Sequence, residues 1–292
     1  MLAVLLVLPA ALISLFLSRA PCMMTSTTPT SGVQWADGPL KLVATPTYET
    51  KRTDIFTTGA SHMALVHNVI LRGFNSVYLQ AKRVPAADKP AFIGYAQTWH
   101  KFVVSHHNDE EENLFPKIAE MLRDDKIWAE TLEEHETFMD GMRDFGAYLA
   151  GLSADPAAFS GVKLVSIMDT FKAPFEQHFH SEIQTIAGLH SHANAPIEGS
   201  AEQVAASALF KTWGKATVSK AGVADAVPFF LMNLDSTAEE GLWANWPPMP
   251  APIKWGLVNL AGSYYGSYWK FSSCDSNQMP RELYAINMPE QE

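Results

Sequence analysis

The residues that could do chemistry in this chain are histidines and glutamates, and their spacing decides which chemistry. In "FVVSHHNDEEENLFP" (102–116), two histidines and a run of acids interrupt an otherwise apolar helical pattern. Residues separated by alternating steps of three and four share one helical stripe. One stripe reads Trp99, Val103, His106, Glu110, Leu114, Ile118, and another Leu164, Met168, Phe171, Phe175, His178, Glu182, Leu189. Two more read Met63, His67, Ile70, Phe74, Val77 and Trp128, Leu132, His135, Met139, Met142, Leu149. Each seam is broken by one histidine, and two carry a glutamate one turn further on.

Burying such groups is costly. An unpaired carboxylate in an apolar core costs several kcal/mol, and a buried imidazole needs a partner for each nitrogen. Two glutamates and four histidines at one level cannot satisfy each other, because their lone pairs outnumber their protons. A pair of divalent cations would resolve this, with imidazole and carboxylate as ligands and a glutamate bridging both ions. His107 and Glu111 lie beside the seam as an i, i+4 pair; they are candidates for a further ligand or an outer partner of the ligands, with the solvated face as the alternative. Glu112, Glu133, Glu134 and Glu136 are expected on solvated faces. His62, His100, His190 and His192 are expected at the surface, and His180 should point away from the site. An apolar lining of Phe74, Trp99, Phe171 and Phe175 would keep the site dry.

The elements that must position these groups are four long helices, predicted at about Ser61 to Lys82, Asp88 to Arg123, Asp125 to Leu152 and Asp155 to His190. Pro90 suits a first turn, and Pro174 should kink the last helix. Short connections imply antiparallel neighbours, so the fold expected is all-α, an up-down-up-down four-helix bundle over residues 59–192. Residues 193–292 are rich in Trp, Pro, Tyr and Gly with little periodicity. They read as an irregular C-terminal extension that packs on the bundle through aromatic anchors. Residues 21–58, dense in Thr, Ser, Pro and Gly, read as a linker. Residues 1–20 form an apolar run ending near Arg19. The basic residue after the run favours an uncleaved membrane anchor with a cytosolic domain; a cleaved signal and secretion is the alternative.

Composition narrows the classes. Twenty-one basic against thirty-one acidic residues give a net charge of −10, which argues against a nucleic-acid partner. No glycine-rich phosphate loop is present, so nucleotide binding has no support. Two cysteines cannot build a disulfide framework or a zinc site, leaving histidine and carboxylate to carry any metal.

The segments "HMALVHN" (62–68), "HHNDEEENLFP" (106–116), "EEHETF" (133–138) and "QHFHSEI" (177–183) together resemble the hemerythrin-like, HHE cation-binding family. The Trp-rich tail is similar to extensions on fungal members. The resemblance implies a non-haem di-iron centre, with manganese as the other metal the donors suit. His67, His106, Glu110, His135, His178 and Glu182 fall at its ligand positions, and Glu110 and Glu182 bridge. Oxygen-carrying members have a second histidine one turn after the third-helix histidine, where this chain has Met139. A thioether is a poor ligand for hard iron, so water, His107 or Glu111 must fill that place. The function implied is binding or sensing of oxygen, another diatomic ligand, or iron. The alternatives are a di-iron oxidoreductase acting on peroxide or nitric oxide, and an iron-dependent interaction module.

Overall fold

The computed structural model describes residues 35–291. The apolar run at 1–20 and the first part of the linker lie outside the described residues. Among the described residues there is no strand, and no helix is long and apolar enough to cross a membrane.

Four long helices build the core: α2 (Ile55–Gln80), α3 (Lys89–Asp109), α5 (Ala129–Gly151) and α6 (Gly161–Gly188). Each packs against two of the others, α2 on α3 and α6, α5 on α3 and α6, which closes the square of a four-helix bundle. A short α1 (Pro46–Thr50) precedes them, and α3 continues through a π turn, Glu110–Leu114, into α4 (Phe115–Leu122). Local chemistry sets the ends. Asp54 caps α2 by accepting from the Phe56 and Thr57 amides, and Ser160 caps α6 through Lys163 N–H. Arg123 stops α4 in the left-handed region, with φ 51°. Helix α6 runs through Pro174 as one element. At its start a Cβ on Gly161 would overlap the Ala81 carbonyl, so only glycine lets α6 abut the end of α2.

Three expectations need correction. The linker does not extend to residue 58 as a loose arm. From Ala36 onward it is pinned to α2: the Asn75 amide bonds the main chain at Ala36 and Leu40, and Asn68 bonds both Val43 N–H and Val43 C=O. The stripe drawn through Trp128 and Leu132 also fails. Trp128 sits at the N-cap of α5 with a non-helical backbone, so the helical spacing cannot be extrapolated through it, and Leu132 is exposed. The inner face of α5 is instead His135, Phe138, Met142, Phe145 and Leu149.

The extension, finally, contains a twenty-residue helix, α7 (Ala201–Lys220), followed by α8 (Ala226–Leu231). Helix α7 packs on α2 and α3, and α8 on α3. Phe229 reaches Tyr95 and Phe102, Phe271 reaches Phe92, and Trp213 reaches His106. Helix α3 is thereby covered on two sides, by the bundle and by the extension.

Candidate metal centre

The helices bring all six seam residues to one buried level. His67 on α2, His106 on α3, Glu110 at the start of the π turn, His135 on α5, and His178 and Glu182 on α6 are each at most 3% exposed. They divide into two donor clusters. His67, His106 and Glu110 offer ligand atoms within 4.8 Å of one another. His135 and His178 form the second cluster with His107, again within 4.8 Å. Glu182 lies between the two: its Oε2 is 3.3 Å from His67 Nε2 and 3.6 Å from His178 Nε2.

His107 is the residue the stripe reading left undecided. Adjacent residues on a helix point about 100° apart, so His106 and His107 cannot share one narrow seam. Because α3 is buried on two sides, His106 can face α2 and α7 while His107 faces α5 and α6. The ring centroids of His107 lie 4.6 Å from His135 and 5.3 Å from His178. The second cluster therefore takes its third imidazole from α3, and Met139, half-buried on α5, belongs to neither cluster. Glu111, the other candidate for that place, bonds the far side of a ligand instead: its Oε1 is 2.6 Å from His135 Nδ1.

Hydrogen bonding tests whether these groups suit a cation. Both ring nitrogens of His106 and of His107, Nε2 of His67, and both carboxylate oxygens of Glu110 and Glu182 are buried without a hydrogen-bond partner in the protein. Close approaches such as His106 Nε2 to Glu110 Oε1 at 2.9 Å lack hydrogen-bond alignment. The sharpest conflict lies in the second cluster. His135 Nδ1 faces Glu111 and His178 Nδ1 faces Glu134 Oε2 at 3.4 Å, so each Nδ1 carries the proton. In neutral rings the two Nε2 atoms are then bare lone pairs facing each other 3.1 Å apart. A cation turns that repulsion into ligation. Donors of nitrogen and carboxylate oxygen, with no thiolate, suit iron or manganese.

The protonation pattern agrees. Burial, then the neighbouring histidines, hold His107 well below the ordinary imidazole range; for His106 burial leads and His67 follows. Burial depresses His178 too. These rings are neutral, as metal ligands must be. Glu110 is pushed well up by burial and by the charge of Glu182. Burial would raise Glu182 as well, but its neighbours, His67 first among them, outweigh it and hold its carboxyl down to about 2.

Aromatic rings wall the site. Phe179 lies 4.5 Å from His67, and Phe138 lies 5.3 Å from His178. Phe175 touches both, tilted against Phe179 at 4.5 Å and edge-on to Phe138 at 5.3 Å. Of the four expected lining residues, Phe175 borders this wall, while Phe74, Trp99 and Phe171 form the next layer behind it. Phe138 was legible as the residue one turn beyond His135.

The remaining acids and histidines sort as follows. Glu112, Glu133 and Glu136 are exposed, and His180 turns away to the Lys41 carbonyl. Glu134 is not simply a solvated group, because it bonds His178 and accepts from Ser181 Oγ at 2.5 Å. His62 and His100 are not surface groups. His62 packs between Trp243 and Trp246, and His100 bonds the Met142 carbonyl.

Comparison with known proteins agrees with this geometry. Residues 58–189 match the family model of the hemerythrin HHE cation binding domain. A dimeric xanthone biosynthesis cluster protein, R11, from Cryptosporiopsis sp. (strain 8999) is 29% identical over 270 residues, covering 89% of this chain and 97% of that relative. No solved structure matches.

Proposed function

We propose that residues 58–189, which match the family model of the hemerythrin HHE cation binding domain, hold two iron ions and use them to bind or sense oxygen or a related diatomic ligand. The observation that carries the reading is the set of seven buried and unpartnered nitrogen and oxygen donors in the two clusters, beside the opposed Nε2 atoms of His135 and His178 at 3.1 Å. Manganese would suit the same donors. His67 and His106 with Glu110 would hold one ion, and His107, His135 and His178 the other. The Glu182 carboxylate lies within reach of both.

When bound, such a pair would supply an open coordination position for a diatomic ligand and the electrons that reduction of oxygen needs. The chain's part is to keep the imidazoles neutral, aim their nitrogens inward, and exclude water with Phe138, Phe175 and Phe179. Protein loaded with iron(II) without oxygen should carry two iron per chain and change its visible absorption on exposure to air. Less than one iron per chain, or no spectral response, contradicts the proposal.

A second reading, an oxidoreductase using the same ions, is favoured by the relative, whose name assigns it to a dimeric xanthone biosynthesis cluster. It requires turnover, for instance of peroxide or nitric oxide, that disappears in His135→Ala. Turnover surviving that change rules it out.

A further inference from the structure

The two clusters differ in what stands behind their imidazoles. In the first, His67 Nδ1 meets only a main-chain oxygen, that of Phe179, at 3.0 Å, and His106 Nδ1 has no partner. In the second, two of three rings are backed by carboxylates: His135 by Glu111 at 2.6 Å and His178 by Glu134 at 3.4 Å. Glu111 is 45% exposed and Glu134 22%, so both keep contact with water while their partners are buried.

Each carboxylate has its own means of reaching inward. The π turn inserts one residue into α3, which lets Glu110 face the bundle interior while Glu111, next in the chain, crosses to α5. Glu134 sits next to His135 on α5 yet serves His178 on α6, and Ser181, one turn along α6, fixes it in place. The acids are therefore exchanged between helices, each reaching a ligand on a helix other than its own.

A carboxylate on Nδ1 does two things to an imidazole. It fixes the tautomer, leaving Nε2 free to ligate, and its charge makes that nitrogen a stronger donor. A main-chain carbonyl fixes the tautomer but brings no full charge. We propose that Glu111 and Glu134 are positioning residues that brace the ion of the His107–His135–His178 cluster alone, so that the two ions are held unequally. The inference rests on the two-ion reading above.

Cobalt(II) is the probe, since its absorption and paramagnetic proton spectrum report each bound ion. The unaltered chain should take up two cobalt ions. In Glu111→Ala and Glu134→Ala, chelator competition should find one ion weakened about 10- to 100-fold, the usual cost of losing such a partner, and the other unchanged. Glu111→Gln and Glu134→Gln keep an acceptor without the charge. They should fall between, retaining the shifted, exchangeable N–H signal of the braced imidazole that the alanine variants lose. A purely structural role would not separate glutamine from alanine in this way.

Both side chains are partly exposed, so the variants should keep the helical content of the parent when metal-free. Equal weakening of both ions, or none, in variants of a chain that binds two overturns this inference alone. Fewer than two cobalt ions in the unaltered chain overturns the two-ion reading and this inference together.

Discussion

Two sets of buried polar groups in this protein look alike by burial and differ in their hydrogen bonds. Where the extension and the N-terminal arm meet the bundle, Tyr95, Asn233, Ser273 and Arg72 all find partners within the chain. Tyr95 O–H donates to Asn233 Oδ1 at 3.0 Å, Asn233 Nδ2 donates to the Phe229 carbonyl, and Ser273 N–H completes the set. Arg72 pairs with Asp235 at 3.1 Å and with Asp37 at 3.2 Å. At the centre of the bundle, nine nitrogen and oxygen atoms of His67, His106, His107, Glu110 and Glu182 have no partner. Groups that only hold a fold together end satisfied, because each unsatisfied one costs about 1–3 kcal/mol. A level left so far out of balance implies that something outside the chain completes it.

The contrast makes opposite predictions for the two regions, and the largest concerns metal. Iron(II) or cobalt(II) at a thousand times its dissociation constant should stabilise the fold by about 4 kcal/mol per site, and chelation should remove that gain. A melting temperature indifferent to metal would place the two regions in one class. Arg72→Ala is the counterpart in the satisfied set. It strands the Asp235 carboxylate, 7% exposed, and should cost about 3–5 kcal/mol by denaturant titration with or without metal.

The unsatisfied level should respond with the other sign. Burial already pushes the Glu110 carboxyl well up, so Glu110→Gln in metal-free protein should leave stability unchanged or raise it by about 1 kcal/mol. The same change should abolish uptake of one ion. A loss of several kcal/mol in the metal-free protein would mean that Glu110 has a partner within the fold.

A last test is one of pH. Burial pushes the Cys274 thiol up to about 12, so the folded chain keeps a proton that the unfolded chain releases near its ordinary value of about 8.5. Its contribution is whole below that pH and is lost as pH rises toward the folded value. Stability should therefore decline above about pH 8.5, less steeply in Cys274→Ala, with denaturation midpoints as the readout.

Sequence pattern reached the satisfied and unsatisfied regions unequally. The bundle and the six seam donors were legible because helical periodicity is local, and one stripe per helix carries it. His107 lay beyond that method: a stripe admits one of two adjacent histidines, and both are buried because His106 faces α2 and α7 while His107 faces α5 and α6. Helix α7 itself went unseen, since its long alanine-rich run, "AEQVAASALFKTWGKATVSK", has no sharp apolar stripe. Residues 35–54 looked loose for a similar reason. What holds them, Asn68, Asn75 and Glu239, lies distant in the chain. Glu134 read as a solvated acid because its bond to His178 crosses between helices.

The central claim is that two cations sit side by side in the bundle, one of them held by His107 rather than by anything at Met139. Anomalous diffraction at the iron edge from crystals grown with iron(II) tests it most directly. Two peaks are predicted, one among His67, His106 and Glu110 and one among His107, His135 and His178. A single peak, or a second one away from His107, would contradict the account.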